Sequence, residues 1–426
     1  MPVLDNNLLM YTGVILMILY VLFFKVKNGR VIIDHVVLLF IGFSYYVYIP
    51  FYSLNINNGI FITDSIWFID EKVDTFFALD LSELNKFHLI FLGLIATVII
   101  SDFRSKDIRL NPTKLGTPNF KLMKAILIIL AILTIYSVYS LIPALFSSYS
   151  TSHWGHRGPF ISFLVILITM NSMYLSSRRS LKLLNIFTIT AFLYTLFNLM
   201  TGNRGYFISF IVSIVVVLSQ LRNGIKFRNI IIIGLFGIIL AGAVGSFRNQ
   251  GYVDFITNLN LFKNNIIYHF HAEGNNVVIP LMLYLANHTP ELIDFPKSIL
   301  TQLINIIPSV IFPSKFDLIV TDPRVSHFLA ATHIYVMMMV NFGLIGSFLF
   351  MYSFVHFMNV IKIKFRFVGI YPALCAQIPF MLFRDFELTV VKYIFEFTFL
   401  FAVIILLIGN TYRRFVVKKS KELKVT

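Results

Sequence analysis

Arginines stand at or near the ends of several apolar runs in this sequence. Arg204 lies in the tight turn TGNRGY at 201–206, where two glycines expose backbone amides beside the guanidinium, and Arg248 ends the next run. The planar guanidinium fork donates two parallel hydrogen bonds to a phosphate. We therefore predict that four arginines bind a diphosphate: Arg204, Arg248, Arg324 and Arg384. For each of them, and for Arg157, the alternative is snorkelling to lipid phosphates, which would only anchor a helix.

Histidines and a glutamate occur near these arginines. An imidazole titrates close to neutral pH, so it can accept a proton from a reacting hydroxyl. The candidates for a general base are His271, Glu273, His327 and His333. The spacing His-x-His-x-Glu at 269–273 would also suit a metal, but it is common and no fourth ligand accompanies it. We expect no metal and no cofactor, and a structural role is the alternative for each of these side chains.

The candidate residues lie at the ends of long apolar runs or between them. The 426-residue chain is 58% hydrophobic and only 13% charged, whereas soluble proteins have about 25% charged residues. A soluble fold is therefore excluded. Eleven runs approach or exceed the length that crosses a bilayer: 7–24, 31–50, 87–101, 123–147, 158–177, 183–200, 206–220, 229–247, 332–358, 367–383 and 388–409. We predict an all-α integral membrane protein with about eleven transmembrane helices.

The basic residues between the runs predict the topology. Alternate loops, starting with 25–30 and ending with the C-terminal tail, hold 24 Lys and Arg, and the opposite set holds 10. Short basic loops face the cytoplasm, so the N-terminus is expected outside and the C-terminus inside. The first run has no basic segment before it and is expected to be a retained helix.

Two predicted outer loops are long. Residues 51–86 are acidic, and residues 248–331 contain the runs 276–287 and 298–312, which are too short or too interrupted to be crossings. These two runs are expected to be interfacial helices that lie on, or dip into, the outer membrane face. The whole chain, 1–426, is predicted to be one polytopic membrane domain.

The net charge of +15 would suggest a nucleic-acid partner in a soluble protein. Here the excess of basic residues lies almost entirely in the predicted inner loops, so it indicates orientation and no nucleic acid is expected. The single cysteine, Cys375, excludes a disulfide framework or a CxxC metal site.

Three segments carry a resemblance to a known family. They are TGNRG at 201–205, SFR at 246–248, and IPSVIFPSK at 307–315 with its flanking prolines. The chain resembles the Wzy-type O-antigen and capsular polysaccharide polymerases. In the third segment Phe312 replaces the aromatic residue usual in the family, and Phe316 stands where a proline is often found.

The resemblance implies a glycosyltransferase of the integral-membrane GT-C type in the bacterial inner (cytoplasmic) membrane, with its active site facing the periplasm. Its substrate would be an undecaprenyl-diphosphate-linked oligosaccharide, and the growing glycan would be transferred to a new lipid-linked repeat unit. Membrane lipid and a polysaccharide chain-length regulator are the further partners implied. The arginines would stabilise the diphosphate leaving group, and one of the base candidates would deprotonate the acceptor hydroxyl.

Two alternatives remain open from the sequence. An O-antigen ligase would use the same donor and transfer the glycan to the lipid A core. A lipid-linked oligosaccharide flippase would be expected to carry an internal duplication and charges through the bilayer depth.

Overall fold

The computed structural model describes residues 6–56, 81–105, 119–145, 160–178, 185–200, 204–250, 274, 277–307, 311–325, 332–365 and 368–422. These residues are overwhelmingly helical, and three two-residue strands make up the sheet formed by them. The protein is therefore an all-α protein with a very small β element.

Nine helices and the three strands lie in the described part of the first half of the chain. They are α1 (Asn6–Tyr20, extended by the wide π-helical turn Val21–Lys25), β1 (Val26–Lys27), β2 (Arg30–Val31), α2 (His35–Phe43, extended by the π-helical turn Ser44–Tyr48), α3 (Ile49–Ile56), α4 (Leu81–Ser105), α5 (Phe120–Leu145), α6 (Phe160–Arg178), α7 (Ile186–Met200), α8 (Arg204–Arg222), β3 (Ile225–Lys226) and α9 (Phe227–Gln250).

The second half contains shorter helices around one long one. They are α10 (Val277–Asn287), α11 (Lys297–Gln302, followed by the 3-10 turns Leu303–Ile306 and Pro313–Leu318), α12 (Ile334–Lys364), α13 (Ile370–Ala376, followed by the π-helical turn Ile378–Leu382), α14 (Phe386–Leu388, followed by the π-helical segment Thr389–Leu400) and α15 (Phe401–Glu422).

Helices lie at all eleven positions that the apolar runs predict. By length and composition, six helical segments of the described chain could cross a membrane: Leu8–Lys25, His35–Tyr52, Asn85–Ser105, Arg204–Arg222, Ile334–Lys364 and Phe386–Tyr412. Five shorter apolar helices accompany them. The membrane character is thereby supported, while the number of crossings and their orientation stay predictions.

The core is built from helices that are apolar on all sides. In α2, Val36, Leu39 and Phe43 are fully buried, and α12 packs along α4. Helices at the periphery instead expose large apolar side chains, such as Ile135 and Tyr139 of α5, which are 70% and 74% exposed. A helix that exposes such residues is stable where the surrounding solvent is lipid.

At one end of the bundle the three strands join two parts of the chain. Strand β2 pairs with both β1 and β3, and Arg30 stands opposite Lys226 in the antiparallel register. The loops 25–30 and 222–228, which the charge pattern assigns to the same inner face, are therefore in contact.

At the other end, the segment after α10 docks onto a break in α12. Gly343 has φ of +67° inside this helix, and the amides of Leu344 and Ile345 donate to the carbonyls of Glu291 and Leu292, at 2.8 and 3.0 Å. A Cβ at position 343 would lie 2.8 Å from the backbone of Ile293. Only glycine adopts this conformation readily and also permits such close approach.

The two predicted interfacial runs differ from each other. Helix α10 is buried on nearly all sides, with Val277, Leu281 and Tyr284 at most 1% exposed, so it is inserted among the other helices and does not lie on the surface. The run 298–312 instead forms α11 and a 3-10 turn with several exposed apolar residues, as an interfacial segment would. The central part of the predicted acidic loop, residues 57–80, lies outside the described residues.

Candidate functional site

Arg204 is the first residue of α8. The start of this helix packs directly against the turn 378–382. A Cβ at the next residue, Gly205, would lie 3.0 Å from the ring of Phe380 and 3.1 Å from the sulfur of Met381. The glycine of the TGNRG segment therefore permits close packing between the start of α8 and this turn. Arg204 remains partly exposed.

Arg384 lies against the phenylalanine ring that Gly205 approaches. Its guanidinium carbon is 5.8 Å from the centroid of Phe380, in a cation–π arrangement, and its carbonyl accepts a hydrogen bond of 3.1 Å from the amide of Thr332. The side chain of Arg384 is partly exposed, as is that of Arg204. The fold thus brings Arg384 and the start of α8, which Arg204 begins, to one phenylalanine.

Two tyrosines are in contact, one of them close to Arg204 in the chain. Tyr206, in the first turn of α8, and Tyr393, in the π-helical segment, place their hydroxyl oxygens 3.2 Å apart. Both side chains are largely buried. The contact fixes the start of α8 against the segment 389–400, so it holds Arg204 in position.

Asp385 follows Arg384 at the end of this turn. Burial raises the pKa of its carboxyl group to about 6; the Arg384 guanidinium opposes this rise, and Glu387 adds to it. A carboxyl group with a pKa near neutrality is suited to accept a proton. The sequence does not single out Asp385, because the neighbouring charges in RDFE at 384–387 are also typical of a helix end.

Arg324 lies in a cage of carboxylates. Its Nη2 is 2.6 Å from Asp294 and 2.7 Å from Asp322, and Glu291 is 3.7 Å from Nη1. The same nitrogen donates to the carbonyl of Val340 at 3.2 Å. Hydrogen bonding from Arg324 holds the pKa of Asp322 below its usual range. A diphosphate at Arg324 would have to displace these carboxylates, so the geometry favours a structural role for this arginine.

His333 is the N-terminal cap of α12. Its Nδ1 accepts a hydrogen bond of 3.1 Å from the amide of Tyr335, and the side chain is fully buried. A capping acceptor satisfies one of the free amides at a helix start. The structure therefore gives His333 a capping function, and it has no exposed surface at which to meet a substrate.

The remaining predicted site residues cannot be placed. His271, Glu273 and His327 lie outside the described residues, as does Arg157. For Arg248 the structure describes only the backbone, in the last turn of α9.

Lys315, in the proline-flanked stretch of the sequence, is buried. Its ammonium donates to the carbonyls of Asn305 and Ile307, at 3.2 and 2.5 Å. These bonds tie the end of the stretch, at Lys315, to its start near Ile307. Lys315 thus shapes the loop near the segment 389–400, since the turn Leu303–Ile306 packs against that segment.

A buried charge cluster at the opposite end of the bundle was not predicted from the sequence. The Lys25 ammonium lies 2.8 Å from Asp34 and 2.7 Å from Asp102, and the Lys362 ammonium lies 3.0 Å from Asp34. Tyr20 and Asn359 donate hydrogen bonds to Asp102. Because these residues belong to four different helices or their ends, no local spacing signals their contact.

Comparisons with protein-family models, with curated proteins and with solved structures found no significant match.

Proposed function

We propose that the protein is a membrane glycosyltransferase that polymerises undecaprenyl-diphosphate-linked oligosaccharide repeat units at the outer face of the bacterial inner membrane. The single observation that carries this proposal is that the start of α8, where Arg204 stands next to Gly205, and the Arg384 guanidinium both lie against Phe380. A lipid-linked donor presents its diphosphate at this depth, and its polyprenyl chain would lie along the exposed apolar helix faces.

The chemistry assigned to the two arginines is stabilisation of the leaving group. When the glycosidic carbon is attacked, the bond to the diphosphate breaks and negative charge develops on the departing oxygen. Guanidinium groups held in place beforehand stabilise that charge without reorganisation. Arg248 is expected to contribute in the same way, as the sequence predicts.

Asp385 is the base candidate among the described residues. It would take the proton of the attacking acceptor hydroxyl and would return it to solvent after transfer. His271, Glu273 and His327 remain candidates from the sequence for the same step. Since the proposed chemistry uses only side chains of the chain, no metal or cofactor is required.

The test is reconstitution of the purified protein with lipid-linked repeat units extracted from its own host. We expect a ladder of glycan lengths, and we expect Arg204→Ala and Arg384→Ala each to slow its formation by roughly 100-fold or more, as removal of an oxyanion-stabilising donor does. Arg204→Lys and Arg384→Lys should recover only part of the rate, because the ammonium cannot donate two parallel bonds.

The matched control is Lys297→Ala, which removes an exposed cation of α11 that is predicted to lie on the same face. It should leave the ladder unchanged. Equal ladders from wild type and both arginine variants, with folding intact, would reject the proposed site.

A ligase would pass the same test at the donor site, so the acceptor must be varied. Transfer of glycan to added lipid A core, without a ladder on the lipid-linked unit, would identify the ligase. A lipid-linked oligosaccharide flippase, which is expected to carry charges through the bilayer depth, is the other alternative. Accumulation of the lipid-linked unit in the inner leaflet of a deletion strain would support that candidate.

A further inference from the structure

A basic pocket of about 300 Å³ lies at the end of the bundle opposite the arginine pair, between the end of α8 and the start of α9. Its lining includes four cations and an apolar wall: Arg30, Arg222, Lys226 and Arg228, with Leu218 and Ile233. The pocket is on the face that the charge pattern assigns to the cytoplasm.

The small β-sheet builds this pocket. The pairing of β2 with β3 places Arg30 opposite Lys226, and Nη1 of Arg30 donates to the carbonyl of Arg222 at 2.7 Å. The turn between α8 and β3 contains Gly224, with φ of +106°, whose added Cβ would lie 3.0 Å from Cβ of Arg30. The cations are therefore held by backbone geometry on two separate parts of the chain.

The pocket differs from the other cationic sites of the described chain in that its cations have no acidic partners. Lys25, Lys362 and Arg324 each contact carboxylates, whereas within the described part of the chain no carboxylate forms an ion pair with the four cations of the pocket. Gathering like charges costs free energy, which an anion in the pocket would offset.

An apolar surface continues from the rim of the pocket. The first turns of α9 expose Phe227, Ile231 and Leu235, at 58%, 47% and 56%. Such side chains are compatible with acyl chains but not with water over so large an area. An anion that fits both the pocket and this apolar surface has a charged head group and a hydrocarbon tail.

We infer that the pocket binds the head group of an anionic phospholipid of the inner leaflet, with the phosphate among Arg30, Arg222, Lys226 and Arg228 and the acyl chains along α9. Basic pockets between membrane helices on the cytoplasmic side are suited to such lipids. This site is separate from the arginine pair and does not depend on the proposed polymerase activity.

The test is native mass spectrometry of the full-length protein in detergent, titrated with phosphatidylglycerol or with phosphatidylethanolamine of the same acyl chains. We expect preferential binding of phosphatidylglycerol. The double variant Lys226→Gln/Arg228→Gln should weaken that binding by roughly tenfold or more, since each basic residue near an anionic head group contributes severalfold. Inorganic phosphate at an equal concentration should not displace the lipid.

The control is Lys121→Gln/Lys124→Gln, which removes two exposed cations from the start of α5, also on the predicted inner face. It should bind phosphatidylglycerol as wild type does. Size-exclusion profiles and melting temperatures check that each variant folds. If the double variant does not fold, the single variant Arg228→Gln, at an exposed position, replaces it.

Three results would overturn the inference. They are equal binding of both phospholipids, equal losses in the pocket and control variants, and displacement of the lipid by inorganic phosphate. The last result would identify a site for free phosphate instead.

Discussion

At the scale of single residues, Asp385 destabilises the fold and also follows Arg384, a proposed catalytic arginine, in the chain. Its carboxyl group has a pKa of about 6 in the folded protein, above the ordinary value of 3.8, because burial disfavours the charged form. The unfolded chain therefore loses this proton at lower pH than the folded protein does. Asp385 consequently costs stability as pH rises from about 4 through 6, and the full cost applies at neutral pH.

We expect Asp385→Asn to separate these two effects. At pH 7 the variant should be more stable than wild type by about 1–3 kcal/mol, from the pKa difference, and this gain should vanish near pH 4. Glycan ladder formation should fall sharply, because an amide cannot accept the proton. Thermal unfolding in detergent between pH 4 and 7 and the reconstituted assay measure the two effects. The assignment of this pKa would be contradicted if the stability gain of the variant over wild type were smaller at pH 7 than at pH 4.

At the scale of elements, the break at Gly343 decides how the outer segment meets the long helix α12. The break frees the amides of Leu344 and Ile345 for the carbonyls of the segment after α10. Asn341, two residues before the break, donates to Glu387 at 2.9 Å and accepts from Ser298 at 2.8 Å. The helix α12 is thus attached to α11 and α14, and the turn that carries Arg384 and Asp385 is held close to it.

We expect Gly343→Ala to destabilise the protein by about 1–3 kcal/mol, the cost of a left-handed conformation at a residue other than glycine, and the contact with Ile293 adds to it. The matched control is Gly234→Ala in α9, where an added Cβ meets no atom within 4 Å. That change should be neutral or slightly stabilising, since alanine favours a helix. Melting temperatures of the two variants make the comparison, and equal melting temperatures would argue against a structural need for the break.

At the scale of the whole molecule, the charged groups divide between the two ends of the bundle. The buried charge cluster and the basic pocket lie at one end, and the arginine pair and the carboxylate cage of Arg324 lie at the other. This division agrees with the loops that the positive-inside rule groups together. Which end faces the cytoplasm is a prediction from the charges alone.

Cysteine labelling tests that orientation. Lys27→Cys and Lys297→Cys place exposed thiols at the two ends, while the native Cys375 is fully buried. With a membrane-impermeant maleimide on intact spheroplasts, position 297 should react and position 27 should react only after permeabilisation. The reverse pattern would invert the topology and would place the arginine pair in the cytoplasm.

The sequence by itself determined the membrane character, the positions of the helices and the occurrence of arginines at helix ends. These follow from local hydropathy and from the distribution of basic residues, which need no knowledge of packing. The resemblance added a reaction to test, which the structure alone does not identify.

Only the tertiary structure decided which of those arginines lie near the same turn. Gly205, next to Arg204, and the Arg384 guanidinium both approach Phe380, whereas Arg324 is enclosed by Asp294 and Asp322, and His333 is used as a cap. The buried charge cluster and the basic pocket likewise join residues that are distant in the chain. Apolar helices look alike in sequence, so their order of packing, and hence every contact between their ends, depends on side-chain fit across the whole bundle.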